Sequence, residues 1–259
     1  MPQPTLPAIP KALLKRASAG LSWPQVLRAI AFRYGLCYDG RAMDVFDLEA
    51  FRATPLSREP YEHVVLPRFV KPEALRKINA DYPQIEHSGS FPLESLEFGP
   101  GFRAMADALE CEEFRKAFEE KFAIDLSNRP TTITVRGLCS EHDGKIHTDS
   151  TGKIITILLY MNPGWSDSGG RLRLLRSNRL DDFAAEVPPS DGALVAFLRS
   201  DHSWHGHLPF AGERRVIQFN WVTGDSSRRF VVLRHRLSAS VKHILSAVGL
   251  AKAVKPASM

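Results

Sequence analysis

Residues 147–165 read HTDSTGKIITILLYMNPGW, and residues 191–221 read DGALVAFLRSDHSWHGHLPFAGERRVIQFNW. Both segments contain short runs of β-branched and aromatic residues bounded by Gly, Pro, Asp and Ser. The runs after residue 130 are 131–138, 154–160, 171–175, 193–198 and 214–222. Short strands at this spacing are typical of an antiparallel sandwich or barrel, whereas a βαβ sheet would have helices between them. The sequence therefore predicts a mainly β fold from residue 130 onward.

Helical patterns flank this β region. Apolar residues recur near helical spacing over residues 1–55 and again over 233–254. A chain of 259 residues fits one large β domain with flanking helices better than two small domains. We predict a helical N-terminal extension over residues 1–55, a β domain over 56–225 and a basic amphipathic C-terminal helix over 226–259.

The first part of the β domain has a mixed pattern. Residues 61–70 resemble a strand, and Pro72 is suited to the first turn of a helix. Residues 81–102 contain three prolines and three glycines, which predicts a long loop. Residues 104–122 return to helical spacing, so we predict one helix there.

Composition excludes several classes of protein. No segment approaches the roughly 18 unbroken apolar residues of a membrane span. The first residues lack the continuous apolar run of a secretory signal. The three cysteines, Cys37, Cys111 and Cys139, show no CxxC spacing, which argues against a disulfide framework or a structural zinc site. These features predict a cytoplasmic protein.

The basic charge lies mostly in the tail. The net charge is +5, but seven basic residues and no acidic ones follow Asp225, which leaves 27 basic against 29 acidic residues in the rest of the chain. A nucleic-acid-binding domain would have its basic residues around the site itself. The tail leaves two interpretations open: it lies on an anionic membrane surface, or it packs on the β domain or on a second subunit of a homodimer.

Three side chains have the spacing of a metal site. His147 and Asp149 are two residues apart, so both can point the same way from an extended segment. His205 is the candidate third ligand and lies 58 positions later. Two histidines and a carboxylate can form a facial triad on Fe(II) that leaves coordination positions open. The adjacent Arg214 and Arg215 supply a cation that could hold an organic acid beside such a metal.

The residues from His147 to Trp221 resemble the 2-oxoglutarate/Fe(II)-dependent oxygenases, and among them the prolyl-4-hydroxylase-like branch. The resemblance is carried by the H-x-D motif, by DSGGRLRLL at 167–175, by Trp-His at 204–205 and by Gly-x-Arg at 212–214. A weaker match lies upstream in HVVLPRFVKPEALRKI, residues 63–78.

This resemblance implies a double-stranded β-helix, a distorted jelly roll of the cupin type with a metal at its mouth. It implies that His147, Asp149 and His205 bind Fe(II), with 2-oxoglutarate as co-substrate and O2 as oxidant. Arg214 or Arg215 would then bind the distal carboxylate of 2-oxoglutarate. Strand alternation lets only one of the two face the pocket, and the polar residues that share a face with Arg214 favour Arg214.

The chain departs from the family pattern before its H-x-D. Many relatives have a tyrosine about ten residues upstream that touches 2-oxoglutarate, whereas this chain has residues 137–139, Gly-Leu-Cys. Tyr160 and Thr156 are candidates for part of that role, although both are also suited to packing inside a barrel. His207 and Trp165 are candidates for substrate contact, and Trp165 is equally suited to anchoring a loop.

The implied function is hydroxylation of a C–H bond, with release of succinate and CO2. The loop at 82–102, the insert at 166–169 and residues 176–190, which lie between core strands, would select the substrate, which could be a peptidyl residue, a sugar or a small molecule. Two alternatives remain: a non-catalytic metal-binding protein, and a cupin-type enzyme that needs no 2-oxoglutarate. Nucleic-acid demethylation is disfavoured because the basic charge lies in the tail.

Overall fold

Two antiparallel β-sheets face each other in the structure, a computed structural model whose described residues are 41–226. The larger sheet has six strands in the order β1-β7-β4-β9-β3-β2, and the smaller has three in the order β6-β5-β8. The strands are β1 (His63–Leu66), β2 (Phe91–Pro92), β3 (Thr131–Cys139), β4 (Lys153–Tyr160), β5 (Leu172–Leu175), β6 (Phe183–Val187), β7 (Leu194–Leu198), β8 (His205–Gly206) and β9 (Gly212–Val222).

Strands that are distant in the chain are neighbours in both sheets. In the larger sheet β9 lies between β4 and β3, and β7 lies between β1 and β4. In the smaller sheet β5 lies between β6 and β8. Two facing antiparallel sheets with such crossings are the arrangement of a jelly roll. The predicted fold class, mainly β with a double-stranded β-helix, is confirmed.

The helices cover one face of the larger sheet. They are α1 (Arg41–Val45), α2 (Leu48–Ala53), α3 (Pro72–Ala80), α4 (Pro100–Leu109) and α5 (Glu112–Phe122), with a short 3-10 helix at Leu93–Ser95. The predicted single helix over 104–122 is thus two helices. Cys111 separates them because it caps α5, its sulfur accepting a hydrogen bond from the Phe114 N–H.

Two segments in which no strand was predicted contain regular structure. Residues 81–102 include β2, the 3-10 helix and the start of α4, where Pro100 occupies the first turn. Residues 176–190 include β6, which pairs with β5. Both segments contribute short strands at or near a sheet edge, where few side chains are buried on two faces and the periodic signal is therefore weak.

The two faces of the larger sheet have different environments. On β9, Ile217, Phe219 and Trp221 pack against the helices, whereas Val216 packs with residues of the smaller sheet. We call the space between the two sheets the interior pocket. Its buried apolar lining includes Leu172 and Leu174 from the smaller sheet, opposite Phe197 of the larger one.

Aromatic rings form the core between helices and sheet. Phe114 of α5 is fully buried, and its ring centroid lies 4.7 Å from that of Phe118 and 5.9 Å from that of Phe219. Phe46 and Phe69 stack at 5.0 Å on the same cluster. Because Phe46 lies between α1 and α2, residues near 41–53 belong to the core that supports the sheet.

The predicted extensions are described only in part. Of the predicted N-terminal extension, residues 41–55 are described, and the predicted C-terminal helix falls almost wholly outside the described residues. No helix within residues 41–226 is both long enough and apolar enough to cross a membrane.

Replacing Phe114 with alanine should lower the free energy of unfolding by about 3–5 kcal/mol, because a fully buried phenylalanine leaves a cavity that the surrounding rings fill only partly. Urea unfolding followed by circular dichroism measures this. The control is Phe183→Ala, whose side chain is 37% exposed and should change stability by less than about 1 kcal/mol. Equal effects from the two variants would contradict the assignment of the core.

Candidate metal centre

Three side chains from separate parts of the chain meet at one end of the interior pocket. His147 and Asp149 lie between β3 and β4, and His205 begins β8. One potential ligand atom from each residue lies within 4.8 Å of the other two. Among residues 41–226, these three side chains form a group that could hold a metal ion. We call these three residues the metal cluster.

The backbone holds the two histidines together. His147 and His205 form an antiparallel bridge in which each N–H donates to the other's carbonyl at 3.0 Å. Their ring centroids are 4.3 Å apart. Side chains on directly opposed residues share a face, so the bridge turns both imidazoles toward the same point.

Each imidazole is oriented by a carbonyl. Nδ1 of His147 lies 2.8 Å from the Lys145 carbonyl oxygen, and Nδ1 of His205 lies 2.9 Å from that of Ser203. A carbonyl only accepts, so Nδ1 carries the proton in both rings and Nε2 keeps a lone pair. This tautomer is the one that metal-binding histidines adopt when a second group fixes the ring.

The Asp149 carboxylate has a partner on each oxygen. Lys153 Nζ donates to Oδ1 at 2.7 Å and Thr156 Oγ1 donates to Oδ2 at 2.5 Å. Burial raises the pKa of Asp149. Lys153, His205 and these hydrogen bonds together lower it by more, so the pKa of Asp149 lies well below its usual range. Burial lowers the pKa of His205 to about 4. At neutral pH the cluster therefore offers a carboxylate and a neutral imidazole, the donor set that divalent iron accepts.

Thr156 connects Asp149 to the larger sheet. Its hydroxyl lies 3.1 Å from Oδ1 of Asn220 on β9, and the Asn220 amide nitrogen donates to the Thr132 hydroxyl on β3 at 3.0 Å. All three residues are buried. The carboxylate is thus held by a row of polar groups across three strands, and Thr156 lies beside the metal cluster.

A second polar group lies further along the interior pocket. Arg214 is only 5% exposed, and its Nε donates to the Gly170 carbonyl at 2.9 Å. Its guanidinium carbon lies 5.4 Å from the centroid of the Tyr160 ring. The Tyr160 hydroxyl is buried and has no hydrogen-bond partner within residues 41–226. A buried hydroxyl without a partner is rare, and a carboxylate beside the guanidinium would supply the missing acceptor.

The neighbouring Arg215 lies on the opposite face of β9. Its Nε is 2.5 Å from a Glu213 carboxylate oxygen, and its guanidinium lies over the ring of Tyr82 at 5.1 Å. Arg214 therefore shares the interior face with Val216, Gln218 and Asn220, as alternation requires. Arg215 shares the outer face with the residues that pack on the helices.

His207 and Trp165 have local structural contacts. His207 is buried, its Nδ1 lies 2.8 Å from the Leu208 carbonyl oxygen, and burial lowers its pKa to about 4. A Cβ at Gly144, where φ is +78°, would lie 2.2 Å from the His207 ring, so only glycine fits there. Trp165 donates to the Gly169 carbonyl at 3.0 Å and its ring lies 4.6 Å from that of Phe210.

Two charged residues beside these groups were not among the residues selected from the sequence. Lys153, which pairs with Asp149, stands four residues after it. Arg136 on β3 shares its strand face with Thr132 and Thr134. Alternation along β3 would have found Arg136 once the face of Thr132 was known.

Comparison with known proteins gives a family match over the same region. Residues 135–223 match the sequence model of the 2OG-Fe(II) oxygenase superfamily. Among curated proteins, none matches the chain.

Three solved structures illustrate the likeness. A prolyl-4-hydroxylase from Pseudomonas putida is 18% identical with a TM-score of 0.47, covering 68% of this chain and 94% of its own. A prolyl hydroxylase from Trichoplax adhaerens, in complex with a hypoxia inducible factor peptide fragment, is 14% identical with a TM-score of 0.47, covering 76% and 98%. A 2OG-Fe(II) oxygenase family oxidoreductase from Burkholderia pseudomallei is 11% identical with a TM-score of 0.45, covering 72% and 92%.

The family match covers the metal cluster, Tyr160 and Arg214. Enzymes of this family require Fe(II), 2-oxoglutarate and O2. The donor set of the cluster fits the iron, and the Arg214–Tyr160 pair fits a carboxylate. Residues 135–223, which carry these groups, are therefore similar to the 2OG-Fe(II) oxygenase superfamily.

Proposed function

We propose that this protein hydroxylates a C–H bond of an organic substrate with Fe(II), 2-oxoglutarate and O2. One oxygen atom of O2 enters the substrate as the hydroxyl, and the other enters the succinate that forms when 2-oxoglutarate loses CO2. The observation that carries the proposal is the metal cluster, with ligand atoms within 4.8 Å, in the same interior pocket as the buried Arg214 and the unpartnered Tyr160 hydroxyl.

In this proposal His147, Asp149 and His205 hold the iron. When bound, Fe(II) supplies the activation of O2, which no side chain can provide. The protein contributes two imidazoles oriented by the carbonyls of Lys145 and Ser203, and one carboxylate. Three protein ligands leave positions for the co-substrate and O2.

Arg214 and Tyr160 bind the distal carboxylate of 2-oxoglutarate. The Arg214 Nε is already occupied by the Gly170 carbonyl, which orients the guanidinium and leaves its two terminal nitrogens for a bidentate contact. The Tyr160 hydroxyl donates to the same carboxylate. Thr156 acts on Asp149 and so positions a metal ligand, which is a different role from direct contact with the co-substrate.

The apolar lining of the interior pocket excludes water from the reacting groups. Phe197 lies 4.8 Å from the His205 ring, and Leu172, Leu174 and Val216 close the space between the sheets. Low water content strengthens the contacts of Arg214 and protects reactive species from side reactions.

The substrate class covers a peptidyl residue, a sugar or a small molecule. Residues 82–102, 166–169 and 176–190 are proposed to select it. His207 and Trp165 are proposed to contact the substrate in addition to their protein partners. Membrane contact, a homodimer and a cytoplasmic location stay predictions from the sequence.

Two alternative functions make a different prediction for Arg214. A non-catalytic metal-binding protein, or a cupin-type enzyme without 2-oxoglutarate, has no use for a buried guanidinium beside an unpartnered hydroxyl. Burying a charge without a ligand is expensive, which favours a pocket built for an anion.

Replacing His147 or Asp149 with alanine should weaken Fe(II) binding by more than about 10- to 100-fold. That loss is already expected when a residue that only orients a metal ligand is removed. Anaerobic titration against a competing chelator measures the affinity, and circular dichroism checks the fold. The matched control is His202→Ala, an exposed histidine three residues before His205. Unchanged Fe(II) affinity in Asp149→Ala would remove this residue from the ligand set.

Arg214→Gln should raise KM for 2-oxoglutarate about 10- to 100-fold, because a hydrogen bond to a charged group contributes roughly 1.5–3 kcal/mol. Arg215→Gln is the control and should change KM by less than about twofold, because its guanidinium lies on the opposite face of β9, against Glu213 and Tyr82. Succinate formation is the readout. A larger effect from Arg215→Gln than from Arg214→Gln would place the carboxylate of 2-oxoglutarate on the other face of β9 and contradict the proposal.

Tyr160→Phe should raise KM for 2-oxoglutarate several-fold while leaving the free energy of unfolding unchanged or higher. The hydroxyl has no partner in the described protein, so its removal relieves a buried polar group and loses only the contact to the ligand. Kinetics and urea unfolding of one preparation measure both effects. A loss of stability with unchanged KM would indicate a structural role.

A further inference from the structure

The segment between β7 and β8 contacts two residues of the metal cluster. It comprises residues 199–204, and we call it the linking turn. At its start, Arg199 Nε donates to the backbone carbonyl oxygen of Asp149 at 3.0 Å. Near its end, the carbonyl oxygen of Ser203 lies 2.9 Å from Nδ1 of His205. One short segment therefore holds the backbone of one proposed ligand and the ring of another.

Hydrogen bonds within the linking turn hold it in one shape. The hydroxyl of the fully buried Ser203 donates to the Ser200 carbonyl at 2.8 Å and accepts from the Ser200 N–H at 3.0 Å. The Tyr61 hydroxyl donates to the Trp204 carbonyl at 2.9 Å and ties the end of the turn to the protein. Buried polar groups that lose their partners are costly, so these bonds fix the distance between Arg199 and His205.

Arg199 has two further contacts besides its bond to Asp149. Its backbone N–H donates to the Ile154 carbonyl at the start of β4 at 2.9 Å, and its Nη2 lies 2.7 Å from Oδ1 of Asp201. The Arg199 side chain is 16% exposed, whereas the Asp201 side chain is 79% exposed. An ion pair with so exposed a partner contributes little. The bond from Nε to the Asp149 carbonyl is therefore the contact through which Arg199 acts on the site.

The linking turn adds a restraint that the other contacts of the cluster do not provide. The bridge between His147 and His205 aligns these two residues, and Asp149 lies two residues beyond it. The hydrogen bonds to the Asp149 carboxylate hold its oxygens and not its backbone. The Arg199 bond attaches that backbone to the same turn that orients the His205 ring. Metal ligands held in place before the metal arrives bind it more tightly.

We propose that Arg199 is a positioning residue of the metal cluster: through its Nε it holds the Asp149 backbone at a fixed distance from His205 and so preorganises the site for a divalent metal. This inference rests on the proposed function, since it adds a supporting contact to the same iron site. Residues that orient metal ligands typically account for about 10- to 100-fold in metal affinity. Arg199 acts through Asp149 and is not itself a ligand.

The test compares two neutral variants that differ in one donor. In Arg199→Gln the amide nitrogen is the same number of bonds from Cα as Nε of arginine, whereas Arg199→Met has a stem of similar length and no donor. Co(II) binding to the full chain is followed by visible absorption without 2-oxoglutarate. Arg199→Met should weaken Co(II) binding about 10-fold or more and shift its absorption, and Arg199→Gln should weaken it by less than about threefold. Asp201→Asn, which removes the exposed ion pair, is the matched control and should bind Co(II) as the unaltered protein does.

Equal weakening by Arg199→Met and Arg199→Gln would assign the effect to the lost charge and overturn the inference, and so would unchanged affinity in Arg199→Met. The melting temperature of each metal-free variant separates misfolding from a lost contact. If Arg199→Met did not fold, Arg199→Lys would replace it, because lysine keeps the charge but moves the donor one bond further from Cα. Arg199→Lys should then bind Co(II) more weakly than Arg199→Gln, and equal or tighter binding would overturn the inference. If the unaltered protein bound Co(II) no better than His147→Ala, the proposed function itself would fail, and this inference with it.

Discussion

The backbone bridge between His147 and His205 is the contact on which the proposed metal centre depends. It joins the segment before β4 to the start of β8, and so connects the larger sheet to the smaller one at the end of the interior pocket. Two hydrogen bonds of 3.0 Å bring together residues 58 positions apart. Because each imidazole is also tied by Nδ1 to a nearby carbonyl, the orientation of both rings follows from the backbone.

The third proposed ligand, Asp149, requires a different kind of support. Asp149 is buried, and a buried carboxylate is stable only when its oxygens are paired. Lys153 and Thr156 provide the partners, and Thr156 is linked through Asn220 to β3. A buried ion pair contributes little net stability because both charges lose water. Its value here lies in keeping the carboxylate ionised and oriented for a metal.

The sequence predicts the β architecture well where both faces of a strand are buried. The strands β3, β4 and β9 have 9, 8 and 11 residues, and β7 is apolar throughout, so these four runs are recognisable without tertiary information. No strand was predicted at β2, which has two residues, or at β6, which is mostly exposed or half-buried, because their pairing depends on partners elsewhere in the chain. The break between α4 and α5 was missed because a cysteine is a weak helix cap in sequence terms.

The residues of the candidate site also differ in how well the sequence predicts them. His147, Asp149 and His205 were predicted from their spacing, and Arg214 from the family resemblance and from the polar residues on its face of the strand. Arg136 was not predicted, because counting about ten residues back from His147 leads to residues 137–139. A register shift between Arg136 and Leu138 breaks that count, since a bulge moves the residues after it to another face. Register is a property of the paired strands, and one sequence does not reveal it.

The most direct test of the central claim is anaerobic addition of 2-oxoglutarate to the Fe(II)-loaded protein, followed by visible absorption. The account predicts a weak charge-transfer band, because 2-oxoglutarate that chelates iron in a His-Asp-His site absorbs in the visible region. The band should be absent when succinate replaces 2-oxoglutarate. Tight Fe(II) binding with no band at saturating 2-oxoglutarate would contradict the account and favour a metal-binding protein that does not use this co-substrate.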